Sequence, residues 1–153
     1  MKVELALERF VLFLRGKGLR VTTPRREVLT LAWATHEHFG AEDLYAWAKN
    51  SGSSASRATV YRTLSLLVEG GFLGVLDTGK GHALYEHILG HKHHDHMVCL
   101  QCRLIIEFRD DQIEQLQEEA ASKYGFELMG HSLTLEGHCS SCSQEGESAA
   151  DPS

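Results

Sequence analysis

The chain has 153 residues and a formal net charge of −6, a length that accommodates one ordinary domain or two small ones. No apolar run approaches the ~18–20 residues that a membrane-spanning helix needs, which argues against an integral membrane protein. The composition therefore predicts a soluble, cytoplasmic protein with no membrane partner.

Charge is distributed unevenly along the chain. Residues 1–82 contain 11 Lys or Arg and 8 Asp or Glu, a net charge of +3, whereas residues 83–153 contain 4 and 13, a net charge of −9. The acidic part also contains seven of the ten histidines and all four cysteines. Two domains with different functions, residues 1–87 and 88–142, are the simplest account. Residues 143–153 are rich in Ser, Glu and small residues, which predicts a disordered tail.

The first domain is predicted to contain four amphipathic helices and then a β hairpin. Apolar residues recur at intervals of three and four, which is the helical period. Thr23 before Pro24 is predicted to cap the second helix, and Ser56 the fourth, which Gly70-Gly71 ends. The predicted elements are a helix over residues 3–16, a helix from Pro24 with Val28, Leu29, Ala32 and Trp33 inward, a loop over residues 35–40, a helix over Ala41–Asn50, a helix from Ser56 to Gly70, and strands over Phe72–Leu76 and Ala83–Glu86 joined by a turn at residues 77–81.

Helices followed by a hairpin are the order of a winged helix, a DNA-binding variant of the helix-turn-helix. The fourth helix would then lie in the major groove, where small polar side chains, arginines and a tyrosine can reach bases and phosphates. The alternative is a half-buried Tyr61 and ordinary surface arginines. The candidate DNA-contacting residues are Arg57, Thr59, Tyr61 and Arg62, beside a basic strip of Arg15, Lys17, Arg20, Arg25 and Arg26.

The second domain alternates between strands and one helix, which predicts a small α/β domain. The predicted elements are strands over Met97–Leu100 and Leu104–Phe108, a helix capped by Asp110-Asp111 and ending near Tyr124, and a strand over Phe126–Leu135. Ile113, Leu116 and Ala120 would share one face of that helix.

Residues 91–102 contain four histidines and two cysteines. If this stretch is extended, side chains alternate between its two faces, and His94 and His96 point one way, about 6–7 Å apart. His93 and Asp95 then point the other way. Imidazoles and carboxylates suit divalent iron, zinc or manganese, so the pattern predicts ligand pairs for two different ions. A solvated His-rich loop or an expression tag is the alternative.

Two Cys-x-x-Cys pairs, Cys99 with Cys102 and Cys139 with Cys142, fit a closed tetrahedral zinc site. Two disulfides are the alternative, but they need an oxidising compartment, and the charged residues at the N-terminus do not resemble a secretory signal. Neither pair lies in a clear βαβ unit, which disfavours a thioredoxin-like redox motif.

Several short motifs in this order resemble those of the ferric uptake regulator family, over roughly residues 15–142. They are Ala41-Glu-Asp-Leu-Tyr45, Ala58-Thr-Val-Tyr-Arg62, His93-His-Asp-His96, Cys99-x-x-Cys102, Ile106-Glu-Phe108, Gly130-His-Ser-Leu133 and Gly137-His-Cys139. The resemblance implies a bacterial metal-sensing repressor with a winged-helix first half and a dimerising α/β second half.

The resemblance also implies particular residues for each site. It implies a structural zinc site of Cys99, Cys102, Cys139 and Cys142, a regulatory site between the domains of His38, Glu86, His94, His96 and Glu107, and a further site of His93, Asp95, Glu114 and His131. The segment after Glu86 is one residue longer than in common members, so His87 is the alternative ligand there. Tyr61 matches a base-contacting tyrosine of the family, and Arg20 matches a residue that approaches the minor groove.

These features together predict a metal-dependent repressor that binds double-stranded operator DNA as a homodimer, or as a tetramer. Zn²⁺ would be structural and Fe²⁺ regulatory, with Mn²⁺ or Zn²⁺ as substitutes and peroxide, zinc or manganese sensing as alternatives within the family. A metal-buffering protein is the alternative from another class. An enzyme is disfavoured, because no His-Glu-x-x-His or similar metallohydrolase motif is present.

Overall fold

Helices and short strands follow one another along residues 1–77, 83–90 and 92–143, the parts of the chain that the computed structural model describes, and the predicted α+β class is confirmed. The chain divides into two compact units, Met1–Lys92 and His93–Ser153. The elements are α1 (Val3–Gly16), α2 (Thr23–Ala34), β1 (Phe39–Gly40), α3 (Ala41–Asn50), α4 (Arg57–Glu69), β2 (Leu73–Asp77), β3 (Ala83–His87), β4 (Asp95–Cys99), β5 (Ile105–Phe108), α5 (Asp111–Lys123) and β6 (Thr134–Gly137).

The core of the first unit is formed by the inward faces of α1 to α4. The side chains predicted to point inward from α2 are buried, as are Leu44 of α3 and Leu64 of α4. Phe10 of α1 meets Phe72 edge to face, with 5.5 Å between ring centroids. Burying each large apolar side chain contributes about 1.5–3 kcal/mol, so this core holds α4 firmly against α2 and α3.

Helix caps in the first unit match the prediction at α4 and differ at α2. The Ser56 hydroxyl accepts a hydrogen bond from the Thr59 backbone N–H at 3.2 Å, as expected of an N-cap. The prediction that Thr23 caps α2 is wrong by one residue. Thr22 has the extended backbone of the cap position, makes no side-chain cap bond, and is followed by Thr23 and Pro24 inside the first turn.

A short strand, β1, replaces part of the loop predicted over residues 35–40. Phe39 pairs with Tyr85 and Gly40 with Leu84, giving a sheet of strand order β1-β3-β2. Phe39 is buried, and its ring lies 5.5 Å from that of Trp47. This packing explains why Phe39 and Gly40 are held beside β3. Two residues are too few to show the two-residue period by which a strand is recognised in sequence.

Helices α2 to α4 followed by the antiparallel pair β2–β3 are the element order that the winged-helix prediction requires. Most of the turn predicted between those strands, residues 78–82, lies outside the described residues, as does residue 91 and the predicted tail from residue 144 onward. The domain ranges 1–87 and 88–142 stay predictions.

The second unit is organised around β4, the central strand of its sheet. β5 pairs antiparallel with β4 and β6 pairs parallel with it, in the order β5-β4-β6. The prediction that this strand begins at Met97 is wrong by two residues, so that Asp95 and His96 belong to it. α5 begins as predicted, because the Asp110 carboxylate accepts hydrogen bonds from the N–H groups of Gln112 and Ile113. Leu116 of α5 is exposed.

The prediction of a last strand over Phe126–Leu135 is wrong for most of that range. β6 begins at Thr134, and Phe126 and Met129 are exposed. A strand needs a hydrogen-bonded neighbour, and the pairing of β6 with β4 starts where the His96 N–H donates to the Leu133 carbonyl at 3.1 Å. β4 itself begins only at Asp95, so residues 126–132 have no β4 residue beside which they could form a strand.

Candidate metal centres and DNA-contacting residues

The four cysteines converge because β4 and β6 run parallel. Cys99 ends β4 opposite Gly137, the last residue of β6, so the segments that follow both strands leave the same edge of the sheet. The four Sγ atoms lie within 4.8 Å of one another, and those of Cys102 and Cys139 are 3.7 Å apart. Thiolates about 2.3 Å from one tetrahedral ion stand about 3.8 Å apart. The geometry therefore suits a single zinc ion.

These sulfur distances do not fit disulfides, whose S–S length is about 2.05 Å, and all four cysteines are free. The Cys139 backbone N–H donates to Cys99 Sγ at 3.3 Å, and this bond, followed by hydrogen bonds from the Cys102 and Gln101 backbone and the Cys102 side chain, lowers the pKa of Cys99 to about 5. Burial, followed by hydrogen bonding with neighbouring thiols, raises the pKa of Cys142 to about 12. One thiolate is therefore formed at neutral pH before a metal arrives, and the metal must displace protons from other thiols.

A second cluster joins three parts of the second unit. Asp95 comes from β4, Glu114 from α5, and His131 from the segment before β6, with His93 just before β4. His93 Nε2 lies 3.2 Å from Asp95 Oδ1 and 3.6 Å from Glu114 Oε1. His131 Nε2 lies 3.7 Å from Asp95 Oδ1 and 3.4 Å from Glu114 Oε2.

The second cluster leaves buried polar atoms without hydrogen bonds among the described residues. These atoms are Asp95 Oδ2, Glu114 Oε1 and His131 Nε2. The Asp95 side chain is only 1% exposed. Burying two carboxylates is unfavourable unless a positive charge neutralises them, and two carboxylates with two imidazoles are a typical ligand set for a divalent cation. The cluster therefore fits a metal ion of the nitrogen- and oxygen-preferring class.

The residues expected at the regulatory site form one group in each unit. In the first unit, the pairing of Phe39 with Tyr85 places His38 across from Glu86, and His38 Nε2 lies 3.4 Å from Glu86 Oε2. In the second unit, β4–β5 pairing places His96 opposite Glu107. His94 Nε2 lies 3.8 Å from Glu107 Oε2, and the rings of His94 and His96 are 5.1 Å apart.

His87, the alternative to Glu86, is part of the first unit's interior. Its ring stacks on Trp33 with 4.4 Å between centroids, and its Nε2 lies 2.6 Å from the Ala32 carbonyl oxygen. Because successive strand residues face opposite sides of a sheet, His87 points away from the side on which Glu86 meets His38. Glu86 lies beside His38 despite the longer segment that follows it in the sequence.

The candidate DNA-contacting side chains are mostly exposed. Arg57, Tyr61 and Arg62 of α4 are exposed, as is Arg20 in the segment before α2. Thr59 is half-buried, and its hydroxyl lies 3.0 Å from that of Ser56, so it serves the helix cap. Tyr61 and Arg57 both contact Glu42 of α3, a residue that sequence reasoning did not single out because an acidic residue in a first helical turn is common.

None of the described helices is both long and apolar enough to span a bilayer.

The chain is similar to known proteins over most of its length. The profile of the ferric uptake regulator family matches residues 16–136. The ferric uptake regulation protein of Shigella flexneri is 42% identical over 127 residues, which cover 82% of this chain and 85% of that protein. The ferric uptake regulator of Helicobacter pylori, whose structure reveals three functional metal binding sites, aligns with a TM-score of 0.80 and 33% identity over 94% of this chain and 95% of its own. A ferric uptake regulator structure from Francisella tularensis with iron aligns with a TM-score of 0.71 and 35% identity, covering 82% and 96% of the two chains.

Proposed function

The chain belongs to the ferric uptake regulator family, and from that premise we propose that it is a metal-dependent transcriptional repressor that binds operator DNA as a dimer. That the protein is a metal-binding regulator follows from its membership of this family.

The observation that carries the proposal is the separation of ligand types within the second unit. Four thiolates gather at one end of β4, while imidazoles and carboxylates gather at the other end on two faces. Soft thiolates retain zinc tightly, so the cysteine site suits a permanent structural ion. Nitrogen and oxygen ligands bind more exchangeably, so the remaining groups suit an ion whose occupancy reports its concentration.

We propose that the regulatory ion takes ligands from both units, His38 and Glu86 from the first and His94, His96 and Glu107 from the second. Supporting this, each unit already gathers its own share of these ligands, with His38 beside Glu86 in the first and His94 beside His96 and Glu107 in the second. A ligand set divided between two units is complete only in one relative orientation. Metal binding would then favour that orientation over others, by as much as the affinities differ between them.

Fe²⁺ is the proposed regulatory ion, with Mn²⁺ and Zn²⁺ as substitutes, and Zn²⁺ is the proposed structural ion. The regulatory group contains two carboxylates, three imidazoles and no thiolate, which suits ferrous iron in a cell that keeps free zinc scarce. The Francisella tularensis relative contains iron. The His93, Asp95, Glu114 and His131 cluster would hold a further divalent ion.

The proposed DNA contact is the N-terminal half of α4. Arg57, Tyr61 and Arg62 are exposed there, and Arg20 supplies a further positive charge from the same unit. The proposed dimer would cover part of the second unit's sheet, where Met97, Ile106 and Leu135 of the three strands leave apolar side chains exposed. Two copies present two α4 helices, which fits a pseudo-palindromic site, and pairing of dimers would give a tetramer.

A DNA-binding titration tests the proposal. Protein with its cysteine zinc intact is mixed with duplexes selected from a random pool, in turn with Fe²⁺ under anaerobic conditions, Mn²⁺, Zn²⁺ and no added metal. We expect metal to raise affinity for an enriched, pseudo-palindromic duplex. We expect Fe²⁺ to do so at a free concentration that a cell maintains. If no metal produces sequence-selective binding while the protein still binds several ions, the metal-buffering function is favoured.

A further inference from the structure

A single carboxylate, that of Glu42, contacts two of the side chains proposed to reach DNA. The Tyr61 hydroxyl donates a hydrogen bond to Glu42 Oε1 at 2.8 Å. Arg57 Nη2 lies 3.2 Å from Glu42 Oε2. Each carboxylate oxygen thus binds a side-chain group that would otherwise face solvent or nucleic acid.

Local geometry produces this arrangement. Arg57 and Tyr61 are four residues apart on α4, so they lie one above the other on the same side of the helix. Glu42 lies in the first turn of α3, where the helix dipole stabilises a negative charge. Three residues further along α3, the Tyr45 ring lies 5.0 Å below the Arg57 guanidinium. The face of α3 that carries Glu42 and Tyr45 therefore holds Arg57 from two directions.

We propose that Glu42 is a positioning residue that holds Arg57 and Tyr61, competes with DNA for both side chains, and so lowers the affinity of the protein for DNA. This inference rests on the proposed function. The pKa of Tyr61 is consistent with the contact, since the hydrogen bond to Glu42 raises it above the usual value for tyrosine.

The competition follows from the exposure of the groups. The side chains of Arg57 and Glu42 are 63% and 55% exposed, so their ion pair is weak and can open when a better partner arrives. Non-specific DNA offers only phosphates, and each phosphate contact must displace Glu42 or form beside its negative charge. An operator that takes a base contact from Tyr61 must displace Glu42 as well, so the penalty applies to both kinds of DNA. Glu42 therefore acts through Arg57 and Tyr61 without needing to touch DNA.

The test is Glu42→Gln, which removes the charge but keeps a side-chain oxygen that can accept the Tyr61 hydrogen bond. Affinity is measured by fluorescence anisotropy, with Mn²⁺ and intact zinc, for a duplex that the wild-type protein selects from a random pool and for a scrambled duplex of the same composition. We expect affinity for both duplexes to rise about two- to fivefold, the factor that a surface ion pair supports, with at least as large a rise for the selected duplex, which also needs Tyr61. The salt dependence on scrambled DNA should steepen by up to about one counterion.

Glu8→Gln is the matched control, because it makes the same charge change at an exposed position of α1. It should raise neither affinity by a comparable factor. In an Arg57→Ala background the effect of Glu42→Gln on scrambled DNA should largely vanish, because the charge acts mainly through Arg57. A ¹³C-labelled tyrosine titration should show the pKa of Tyr61 falling in Glu42→Gln, which reports the contact without DNA.

Two results would overturn the inference alone: an unchanged affinity for both duplexes in Glu42→Gln, or an equal rise in Glu8→Gln. If the wild-type protein enriches no duplex with any metal, the proposed function fails and this inference fails with it. Thermal melts by circular dichroism show whether both variants are folded, so a loss of binding through unfolding is recognised.

Discussion

Replacing Asp95 by Asn should have opposite consequences with and without metal. Asp95 is buried on β4, and one of its oxygens has no hydrogen-bond partner among the described residues. Without metal, an amide of the same size keeps an oxygen toward His93 and adds N–H donors within a cluster that contains the Glu114 carboxylate. It also removes one of the two carboxylates of the cluster, the one that is buried. We expect the free energy of unfolding of the metal-free protein to change by no more than about 1 kcal/mol.

With metal, the wild-type protein gains stability that the variant cannot gain. An ion that binds only the folded state adds RT ln(1 + [M]/Kd), which is about 2.7 kcal/mol when free metal is 100 times Kd. With a denaturant slope of about 1–3 kcal/mol per M of urea, this corresponds to a rise of roughly 1–3 M in the unfolding midpoint. Asp95→Asn should lose this increment, while any increment from the regulatory ligands remains in both proteins.

The assay is urea unfolding followed by circular dichroism, at pH 8 and one fixed protein concentration, with the cysteine zinc retained and Mn²⁺ present or absent. Asp111→Asn makes the same chemical change at the exposed start of α5, where the side chain is 89% exposed, and should respond to Mn²⁺ as the wild type does. Equal stabilisation of Asp95→Asn and wild type by Mn²⁺ would show that the cluster is not a metal site. A metal-free variant several kcal/mol less stable would show that Asp95 serves packing instead.

Other substitutions test the remaining sites. Cys142→Ser should release zinc and destabilise the second unit, because the ion's binding energy contributes to folding; undiminished zinc by elemental analysis would contradict this. At pH 7, calorimetry in buffers of different ionisation enthalpy should show zinc binding releasing fewer than four protons, since the Cys99 thiolate, with a pKa of about 5, is already formed; release of all four would refute it. His94→Ala with His96→Ala should keep zinc and fold but lose metal-dependent DNA binding, and a normal metal response in gel shifts would place the sensor elsewhere. Tyr61→Ala should weaken operator binding by about tenfold, as loss of a base contact worth 1–3 kcal/mol implies, and unchanged affinity would remove α4 from the interface.

Much of the fold could be predicted because its signals are local. α3 occupies Ala41–Asn50 as predicted, since apolar spacing and flanking turn residues lie within the helix itself. The cysteine cluster was predictable for a similar reason, because each Cys-x-x-Cys pair fixes two ligands locally and zinc needs four. The two faces around residues 93–96 followed from the two-residue period of a strand, and His93 does meet Asp95 while His94 meets His96.

The features that sequence missed depend on distant partners. β1 exists because Phe39 packs against Trp47 and pairs with Tyr85, neither of which a two-residue pattern reveals. The extent of β6 depends on where β4 begins, so apolar residues from Phe126 onward read as strand without forming one. Glu42 gained significance only when the packing of α3 against α4 placed it beside Arg57. In each case the deciding contact joins residues far apart in sequence.

The central strand also constrains how the sites of the second unit influence one another. β4 has five residues, so its Asp95 end and its Cys99 end stand about 13 Å apart, too far to share a ligand. The two ends are nevertheless joined through β6, which follows His131 and leads to Cys139 and is held parallel to β4. Zinc at the cysteines would fix that pairing and would thereby help to hold His131 near Asp95. Coupling between binding sites is reciprocal in free energy, so an ion at Asp95 must strengthen zinc binding by the same factor. We expect the thiolate site to bind its ion more tightly than the Asp95 site does, so the coupling is measurable only as a change in Mn²⁺ binding. Cys142→Ser should weaken Mn²⁺ binding at Asp95, whereas Asp95→Asn should leave zinc fully bound.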